Sequence, residues 1–213
     1  MVNVIQLMTG GFDKNFSYLL TKNFSSKEAI IVDPTGELSI IEDELNKKGL
    51  TVVAQIFTHS HPDHTELKEY FESKGVKSFF PKNARLGEIE EIKLAGIEIT
   101  VIHTPGHTKD SVCFLIEDNL FSGDTLFVRG VGTTAYGGND LELKGTLRLL
   151  FTLNHSLKLW PGHNYGGASS TLGEALKNSH IAPSKETLEK IKNKVTEYEK
   201  QSGNHEKFTN WGN

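Results

Sequence analysis

The segment His59-Ser60-His61-Pro62-Asp63-His64 places four side chains that commonly bind metal ions within six residues. It directly follows the apolar run Val52–Phe57, which predicts a buried strand that ends where the motif begins. Imidazole and carboxylate groups are ligands that zinc and iron prefer. His59 and His61 project to the same side of an extended segment, whereas Asp63 and His64 need a turn or a helix start to swing round. One segment could therefore serve two neighbouring metal ions.

The same pattern, an apolar run followed by a sharp turn and a ligand, recurs at three later points in the chain. These are Ile99–Ile102 before Pro105-Gly106-His107, Asn119–Phe121 before Gly123-Asp124, and Leu157–Trp160 before Pro161-Gly162-His163. Glycine and proline let the backbone turn abruptly and approach a centre closely. Each ligand lies 17 to 43 residues from the previous one. This spacing predicts one residue from each of several strand ends, converging at one edge of a sheet.

Length and composition indicate one large domain with a sizeable core, since the chain has 213 residues, 37% of them apolar and 23% charged. The net charge of -4, without a basic block, argues against a nucleic-acid or anionic-membrane partner. A single cysteine excludes an internal disulfide and favours a reducing, cytoplasmic setting. The N-terminus carries no signal-peptide pattern, and no apolar stretch approaches the roughly 18 residues of a membrane helix.

Periodicity along the chain predicts strands and helices in both halves. The predicted strands are Val2–Met8, Phe16–Thr21, Ala29–Val32, Val52–Thr58, Glu90–Leu94, Ile97–Ile102, Val112–Ile116, Leu120–Phe121 and Leu157–Trp160. The predicted helices are Glu37–Lys48, Thr65–Lys74, Leu143–Leu153, Thr171–Asn178 and Ser184–Lys200, followed by a polar tail. This order predicts an α/β fold in which two sheets pack together with helices outside.

The ordered set of motifs resembles the metallo-β-lactamase superfamily, and most closely its glyoxalase II branch and the related persulfide dioxygenases. The segments Phe121–Phe127 and Trp160–Gly166 match those that these enzymes carry. The resemblance implies an αββα sandwich of two mixed β-sheets with outer helices, formed by residues 1–183, with a helix and polar tail at 184–213 belonging to the same domain. It also implies two metal ions that share a bridging carboxylate. The first would be held by His59, His61 and His107, the second by Asp63, His64 and His163, and the bridge would be Asp124.

Such a centre predicts a metal-dependent hydrolase that cleaves a thioester, similar to hydroxyacylglutathione hydrolase. Two divalent ions hold a bridging water and lower its pKa from about 15.7 toward about 7, so that hydroxide is available at neutral pH. Asp63 would orient this nucleophile as the catalytic residue. We expect zinc, with iron or mixed iron and zinc as alternatives. No protein nucleophile is needed, and Cys113 lies in an apolar strand, where an inert core thiol is expected.

Other activities stay open on the same residues. Persulfide dioxygenases use a single iron on two histidines and one aspartate, which would be His59, His107 and Asp124 here. A lactonase would differ only in the shape of its pocket, and a scaffold that binds metal without catalysis is a further alternative. His61 stands where the family's flavodiiron branch has a glutamate, which favours hydrolysis over two-iron reduction.

The substrate is less well defined than the reaction. In the loop Arg129–Tyr136, Thr133 and Ala135 replace the arginine and the acidic residue that relatives acting on glutathione derivatives carry. With only residues 164–213 after the last ligand, we also expect an incomplete glutathione site. A small-molecule thioester or thiol-derived substrate would contact Arg129, Tyr136, Lys144 and Tyr165. The sequence leaves the oligomeric state open.

Overall fold

Two mixed β-sheets face each other in the computed structural model, which describes residues 1–82 and 84–179. The first sheet contains, in spatial order, β1 (Asn3–Gly10), β2 (Asn15–Thr21), β3 (Glu28–Val32), β4 (Thr51–Ile56) and β5 (Lys77–Phe79). The second contains, in spatial order from one edge to the other, β6 (Ile89–Leu94), β7 (Ile97–His103), β8 (Val112–Ile116), β9 (Asn119–Gly123), β10 (Lys158–Pro161) and β11 (Ser170–Thr171). Neighbours β3–β4, β4–β5 and β9–β10 are parallel, and the other pairs are antiparallel.

Helices cover the outer face of each sheet. They are α1 (Leu38–Lys48), α3 (Lys68–Ser73), α4 (Asp140–Leu150) and α5 (Leu172–Asn178), whereas the short α2 (Pro62–Thr65) follows β4 at the edge of the sandwich. Ile41 of α1 and Phe71 of α3 pack on the outer side of the first sheet. Leu147 of α4 and Leu176 of α5 pack on the outer side of the second sheet. The predicted αββα sandwich is therefore confirmed for the described residues.

Alternation along the inner strands explains why both faces of each sheet are apolar. Phe16, Tyr18 and Leu20 of β2 point into the core between the sheets, whereas Leu19 points outward beneath the helices. Every residue of β2 is buried as a result. Burying one such large apolar side chain contributes roughly 1.5–3 kcal/mol, so the inter-sheet core dominates stability. No helix among the described residues combines the length and apolar character that a membrane crossing requires.

The predicted helix Thr65–Lys74 is confirmed over α3 (Lys68–Ser73) but not at its start, because Thr65 belongs to α2 and the chain turns at Glu66 and Leu67. The backbone amide of Leu67 donates to the carbonyl oxygen of Pro34 at 3.0 Å instead of continuing the helix. The Glu66 carboxylate reaches the same turn and accepts from the Gly36 amide at 3.0 Å. A tertiary contact with the segment after β3 has therefore overridden the local helical pattern.

Other boundaries also shift, and two short strands were not predicted. The helix expected over Leu143–Leu153 begins at Asp140, because Asn139 caps it by accepting from the amides of Leu141 and Glu142. Strands β5 and β11 are too short to give a periodic signal. Thr171 ends β11 and caps α5, whose predicted range is otherwise confirmed. The predicted helix Ser184–Lys200 lies outside the described residues.

Candidate metal centre

The seven predicted ligands lie at one edge of the sandwich, where four strands end. Strands β7 and β9 are both antiparallel to β8, and β10 is parallel to β9, so β7, β9 and β10 end on the same side. The end of β4 joins them through a hydrogen bond from the Val112 amide to the carbonyl oxygen of Thr58, 2.8 Å long. Pro62 starts α2 immediately after His61 and turns Asp63 and His64 toward the same point. The structure therefore brings all seven predicted residues together.

Three imidazoles form a first cluster. Nε2 of His107 lies 3.2 Å from Nε2 of His59 and 3.0 Å from Nδ1 of His61. His59 and His107 are buried, and His61 is partly open to solvent. Three nitrogen atoms thus converge on one point, with an opening on the His61 side.

Two imidazoles and a carboxylate form a second cluster beside it. Nε2 of His64 lies 3.2 Å from Nε2 of His163, and Oδ2 of Asp63 lies 3.3 Å from the same His163 atom. Asp124 lies between the clusters, with Oδ2 at 3.6 Å from Nε2 of His107 and 3.2 Å from Nε2 of His163. The position of Asp124 fits the predicted bridge between two ions.

The outward nitrogens of the first cluster reveal which inward atoms carry lone pairs. Nδ1 of His107 lies 2.6 Å from the carbonyl oxygen of Thr133, and Nε2 of His61 lies 3.2 Å from that of Tyr136. A carbonyl oxygen only accepts, so both nitrogens carry hydrogen. Nδ1 of His59 faces the Thr58 hydroxyl at 3.1 Å, and that hydroxyl already donates to the Asp33 carboxylate. In the neutral state all three inward nitrogens are therefore unprotonated acceptors.

In the second cluster too, the outward nitrogen of each ring donates a hydrogen bond and leaves a lone pair on the inward nitrogen. Nδ1 of His163 lies 2.6 Å from the carbonyl oxygen of Asp13, and Nδ1 of His64 lies 3.0 Å from the Asp33 carboxylate. In the neutral state of both rings, the Nε2 atoms then present lone pairs beside the carboxylates of Asp63 and Asp124. Oδ1 of Asp124 is buried and has no hydrogen-bond partner among the described residues. Lone pairs facing one another without an intervening donor are the arrangement that a bound cation completes, so the residues fit a metal centre.

The electrostatics agree with this interpretation. Burial lowers the pKa of His59 well below its usual value, and burial also lowers the pKa of His107, so both stay neutral. Burial also lowers the pKa of His64 and of His163, but nearby carboxylates have the larger effect. Asp124 and Asp33 raise the pKa of His64, and Asp124 and Asp63 raise that of His163. The pKa of His64 is raised well above its usual value, and that of His163 to about 9. A proton and a metal ion therefore compete for the second cluster.

The two carboxylates of the site stay ionised. Burial opposes the charge of Asp124, but His64 and a hydrogen bond from His163 hold its pKa well below the usual value. Burial likewise opposes the charge of Asp63, but His163, His64 and Asn15 hold its pKa well below the usual range. Two negative charges thus face the five imidazoles and favour a divalent cation.

Asp33 is a site residue that was not predicted from the sequence. Its buried carboxylate accepts from the Thr58 amide and the Thr58 hydroxyl, both at 2.7 Å, and from Nδ1 of His64. Its backbone has a φ of 47°, a conformation that Asp and Asn tolerate better than most residues. Asp33 therefore fixes the orientation of His64 directly and that of His59 through Thr58.

The turn between β1 and β2, together with Asn15 at the start of β2, supplies a second unpredicted support. The side-chain amide of buried Asn15 donates to the backbone oxygen of Asp63 at 3.0 Å and to its Oδ2 at 3.2 Å. Asp13 accepts from His163 through its carbonyl oxygen and from the Tyr165 hydroxyl through Oδ2 at 2.5 Å. One short turn thus contacts both ends of the second cluster.

Gly162 permits the close approach of the loop that carries His163. A Cβ atom at this position would lie 2.4 Å from Oδ1 of Asp124 and 2.7 Å from Cε1 of His64. Neither atom can move without displacing the cluster. The glycine of the predicted Pro-Gly-His turn is therefore required by space at the centre.

The predicted substrate residues do not form one group. The Tyr165 ring stacks on the His163 ring at 5.0 Å between centroids, and Arg129 packs against Gly166. Tyr136 is 75% exposed beside His61, whose Nε2 donates to the Tyr136 carbonyl oxygen. Lys144 is exposed on α4. Tyr136 and Tyr165 thus border the two clusters from different sides.

Cys113 is fully buried on β8, and burial raises the pKa of its thiol to about 11. The expectation of an inert core thiol agrees with this position. His155 is bonded locally, with Nε2 at 3.1 Å from the carbonyl oxygen of Phe151.

Comparisons with known proteins place the chain in a family. The model of the metallo-β-lactamase superfamily matches residues 10–65 and 66–163. A probable polyketide biosynthesis zinc-dependent hydrolase, BaeB of Bacillus velezensis, is 30% identical over 78% of this chain and 80% of its own length. A hydroxyacylglutathione hydrolase of Xylella fastidiosa is 34% identical over 84% of this chain and 69% of its own length. The crystal structure of ETHE1 from Myxococcus xanthus superimposes with a TM-score of 0.72 at 29% identity, covering 91% of each chain. The chain belongs to the metallo-β-lactamase superfamily, in the glyoxalase II-like branch that is related to the persulfide dioxygenases.

Proposed function

We propose that this protein is a metal-dependent hydrolase that cleaves a small-molecule thioester. The observation that carries the proposal is the pair of adjoining clusters, whose five histidines each use their outward nitrogen as a donor and present the other inward. The similarity to a hydroxyacylglutathione hydrolase and to a zinc-dependent hydrolase supports this reaction type.

The donor set supports two ions. His59, His61 and His107 would hold the first, Asp63, His64 and His163 the second, and Asp124 would contact both. Nitrogen and oxygen donors without cysteine suit zinc, and they also suit iron or a mixed centre. When bound, such ions polarise a carbonyl group and make a strong nucleophile available at neutral pH.

We assign the role of general base and general acid to Asp63. Its side chain is 24% exposed, whereas that of Asp124 is 10% exposed, so Asp63 is the carboxylate that a substrate can approach. Asn15 and His163 fix its orientation. Because it stays ionised, Asp63 can orient the attacking water, accept its proton and pass a proton to the departing thiolate.

Residues 1–82 and 84–179 offer no competing nucleophile at this edge. The Cys113 thiol is buried and protonated on the inner strand β8. Ser60 is exposed on the motif, and no described histidine or carboxylate contacts its hydroxyl. Direct attack by water therefore fits the site better than a covalent acyl-enzyme.

Substrate contacts are proposed for Tyr136 and Tyr165, which border the two clusters, and for Arg129 and Lys144, which lie further out. Tyr165 would be a rigid wall because Asp13 and His163 hold it. The thioester specificity and a cytoplasmic location are both part of the proposal. The single cysteine supports the location.

A second candidate is a persulfide dioxygenase with one iron, which the similarity to ETHE1 fits. Nε2 of His107 lies 3.2 Å from Nε2 of His59 and 3.6 Å from Oδ2 of Asp124, so the three residues of that site also converge.

Assays of the purified protein for thioester hydrolysis and for oxygen uptake with glutathione persulfide separate the two candidates. The hydrolase proposal predicts activity in the first assay, which His61→Ala abolishes together with the affinity for one ion. Oxygen uptake without hydrolysis would refute it. If the parent turns over neither substrate and His61→Ala lowers only stability, the non-catalytic scaffold is supported instead.

A further inference from the structure

A cavity of about 470 Å³ opens beside the exposed side of the first cluster. Its lining includes Ser60, His61, Thr108, Lys109, Asp110 and Tyr136. Small-molecule sites typically have volumes of about 300–1,000 Å³, so this cavity can hold one end of a small substrate. Because His61 forms one wall, a group in the cavity lies next to the proposed reaction centre.

A fixed turn presents Lys109 and Asp110 to this cavity. The Thr108 and Ser111 hydroxyls are bonded to each other at 2.6 Å, and the Thr108 amide donates to the Ser111 hydroxyl at 3.1 Å. The Thr104 amide closes the loop by donating to the carbonyl oxygen of Ser111 at 2.9 Å. The two charged residues therefore stand at the tip of a rigid loop whose base carries His107.

The charges at this tip are opposite and have no partner among the described residues. Lys109 is exposed and Asp110 is partly buried, yet neither side chain forms an ion pair with the other or with another described group. A single anion would meet attraction at Lys109 and repulsion at Asp110. A ligand that carries a carboxylate and an ammonium group near each other satisfies both.

We propose that this cavity binds a zwitterionic, amino-acid-like end of the substrate, with its carboxylate at Lys109 and its ammonium at Asp110. This inference rests on the proposed function, and it deepens that function by naming the chemistry of the substrate's remote end. Neither Lys109 nor Asp110 is among the substrate-binding residues predicted from the sequence.

The test uses three sulfur-containing probes that share the methionine side chain and carry different charges. Methionine carries both charges, N-acetylmethionine only the carboxylate and methioninamide only the ammonium. Each is measured, at low ionic strength, as an inhibitor of the hydrolysis of the neutral thioester S-acetyl-N-acetylcysteamine by the metal-loaded protein. We expect methionine to inhibit the parent best.

Two variants test which protein residue binds which charged group of the probes. Lys109→Met should raise the inhibition constants of methionine and N-acetylmethionine about two- to five-fold, the range for a single solvent-exposed ion pair, and leave methioninamide unchanged. Asp110→Asn should weaken methionine and methioninamide to the same degree and leave N-acetylmethionine unchanged. The effects should fade at about 1 M salt, where the Debye length is roughly 3 Å. Lys47→Met on α1 is the matched control and should change none of these constants.

Equal inhibition of the parent by all three probes, or equal constants in the parent and both variants, would overturn the inference. If the parent does not cleave the neutral thioester, the proposed function fails separately. Calorimetric titration of the three probes into the same variants then still decides the charge assignment.

Discussion

Replacing Asp33 by asparagine tests how the protein prepares its second metal cluster. Asparagine keeps the shape of the side chain and tolerates the φ of 47° at this position, so the backbone should not change. The carboxylate accepts from the Thr58 amide, the Thr58 hydroxyl and Nδ1 of His64. An amide has one acceptor oxygen, so its NH₂ group must face either the Thr58 amide at the Oδ1 position or both the Thr58 hydroxyl and Nδ1 of His64 at the Oδ2 position.

The magnitude follows from the bond to His64. If the amide oxygen keeps the buried Thr58 amide satisfied, the NH₂ group faces Nδ1 of His64. His64 must then move its hydrogen to Nε2, and the second cluster loses a lone pair. A hydrogen bond to a charged group contributes about 1.5–3 kcal/mol, which corresponds to a factor of about 10–100 in affinity for one ion. Substitutions behind metal ligands typically cost the same factor.

The assay is a competition titration of metal-free protein against a chelator, with nitrogen NMR of the His64 ring to identify its tautomer. Asp33→Asn should weaken one binding step about 10–100-fold and leave the other within a few-fold of the parent. The exposed Asp43→Asn on α1 should change neither step. If Asp33→Asn binds both ions like the parent and His64 keeps its hydrogen on Nδ1, the reasoning is refuted.

Three further predictions concern the close packing at Gly162, the hydrogen bond from Asn15 to Asp63 and the reactivity of the Cys113 thiol. Gly162→Ala should displace Asp124, because its Cβ would lie 2.4 Å from Oδ1 of that residue, and metal titration should find fewer than two ions per chain; full occupancy would contradict the close approach. Asn15→Ala removes the amide donor to Asp63, so we expect a loss of about 1–2 kcal/mol in unfolding free energy and a fall in kcat larger than any rise in KM, measured by chemical denaturation and steady-state kinetics. An unchanged kcat would contradict the inference that Asn15 orients Asp63 for catalysis. Cys113, fully buried and with its thiol pKa raised to about 11, should react with a thiol reagent only after unfolding; rapid modification of the folded protein would contradict its position.

The seven ligand positions could be predicted because each of the four segments that contain them follows an apolar strand. The strand supplies a strong periodic signal, and the following glycine or proline marks the turn. Their convergence was predicted from the spacing of 17 to 43 residues between ligands. The structure supplies the reason, because β7, β9 and β10 run in the same direction and end at one edge. The order of strands and helices predicted two packed sheets with helices outside, and the resemblance to the superfamily implied the αββα arrangement.

Asp33 and Asn15 could not be identified in this way, because their contacts are distant in sequence. Asp33 stands in Asp-Pro-Thr-Gly, a common turn, and its bond to His64 spans 31 residues. Asn15 contacts Asp63 across 48 residues. A weak signal was present at Asp33, an acidic residue that ends an apolar strand. The break between α2 and α3 was hidden for a similar reason, since the partner of the Leu67 amide is Pro34 on another segment.

The central claim is that one edge of the sandwich holds two ions and hydrolyses a thioester. The most direct measurement is the elemental analysis of protein purified without added metal, followed by stepwise reconstitution with thioesterase and oxygen-uptake assays at each step. The account predicts about two ions per chain, with thioester cleavage that appears as the centre fills. One iron per chain, with oxygen uptake on a persulfide and no thioester cleavage, would contradict it.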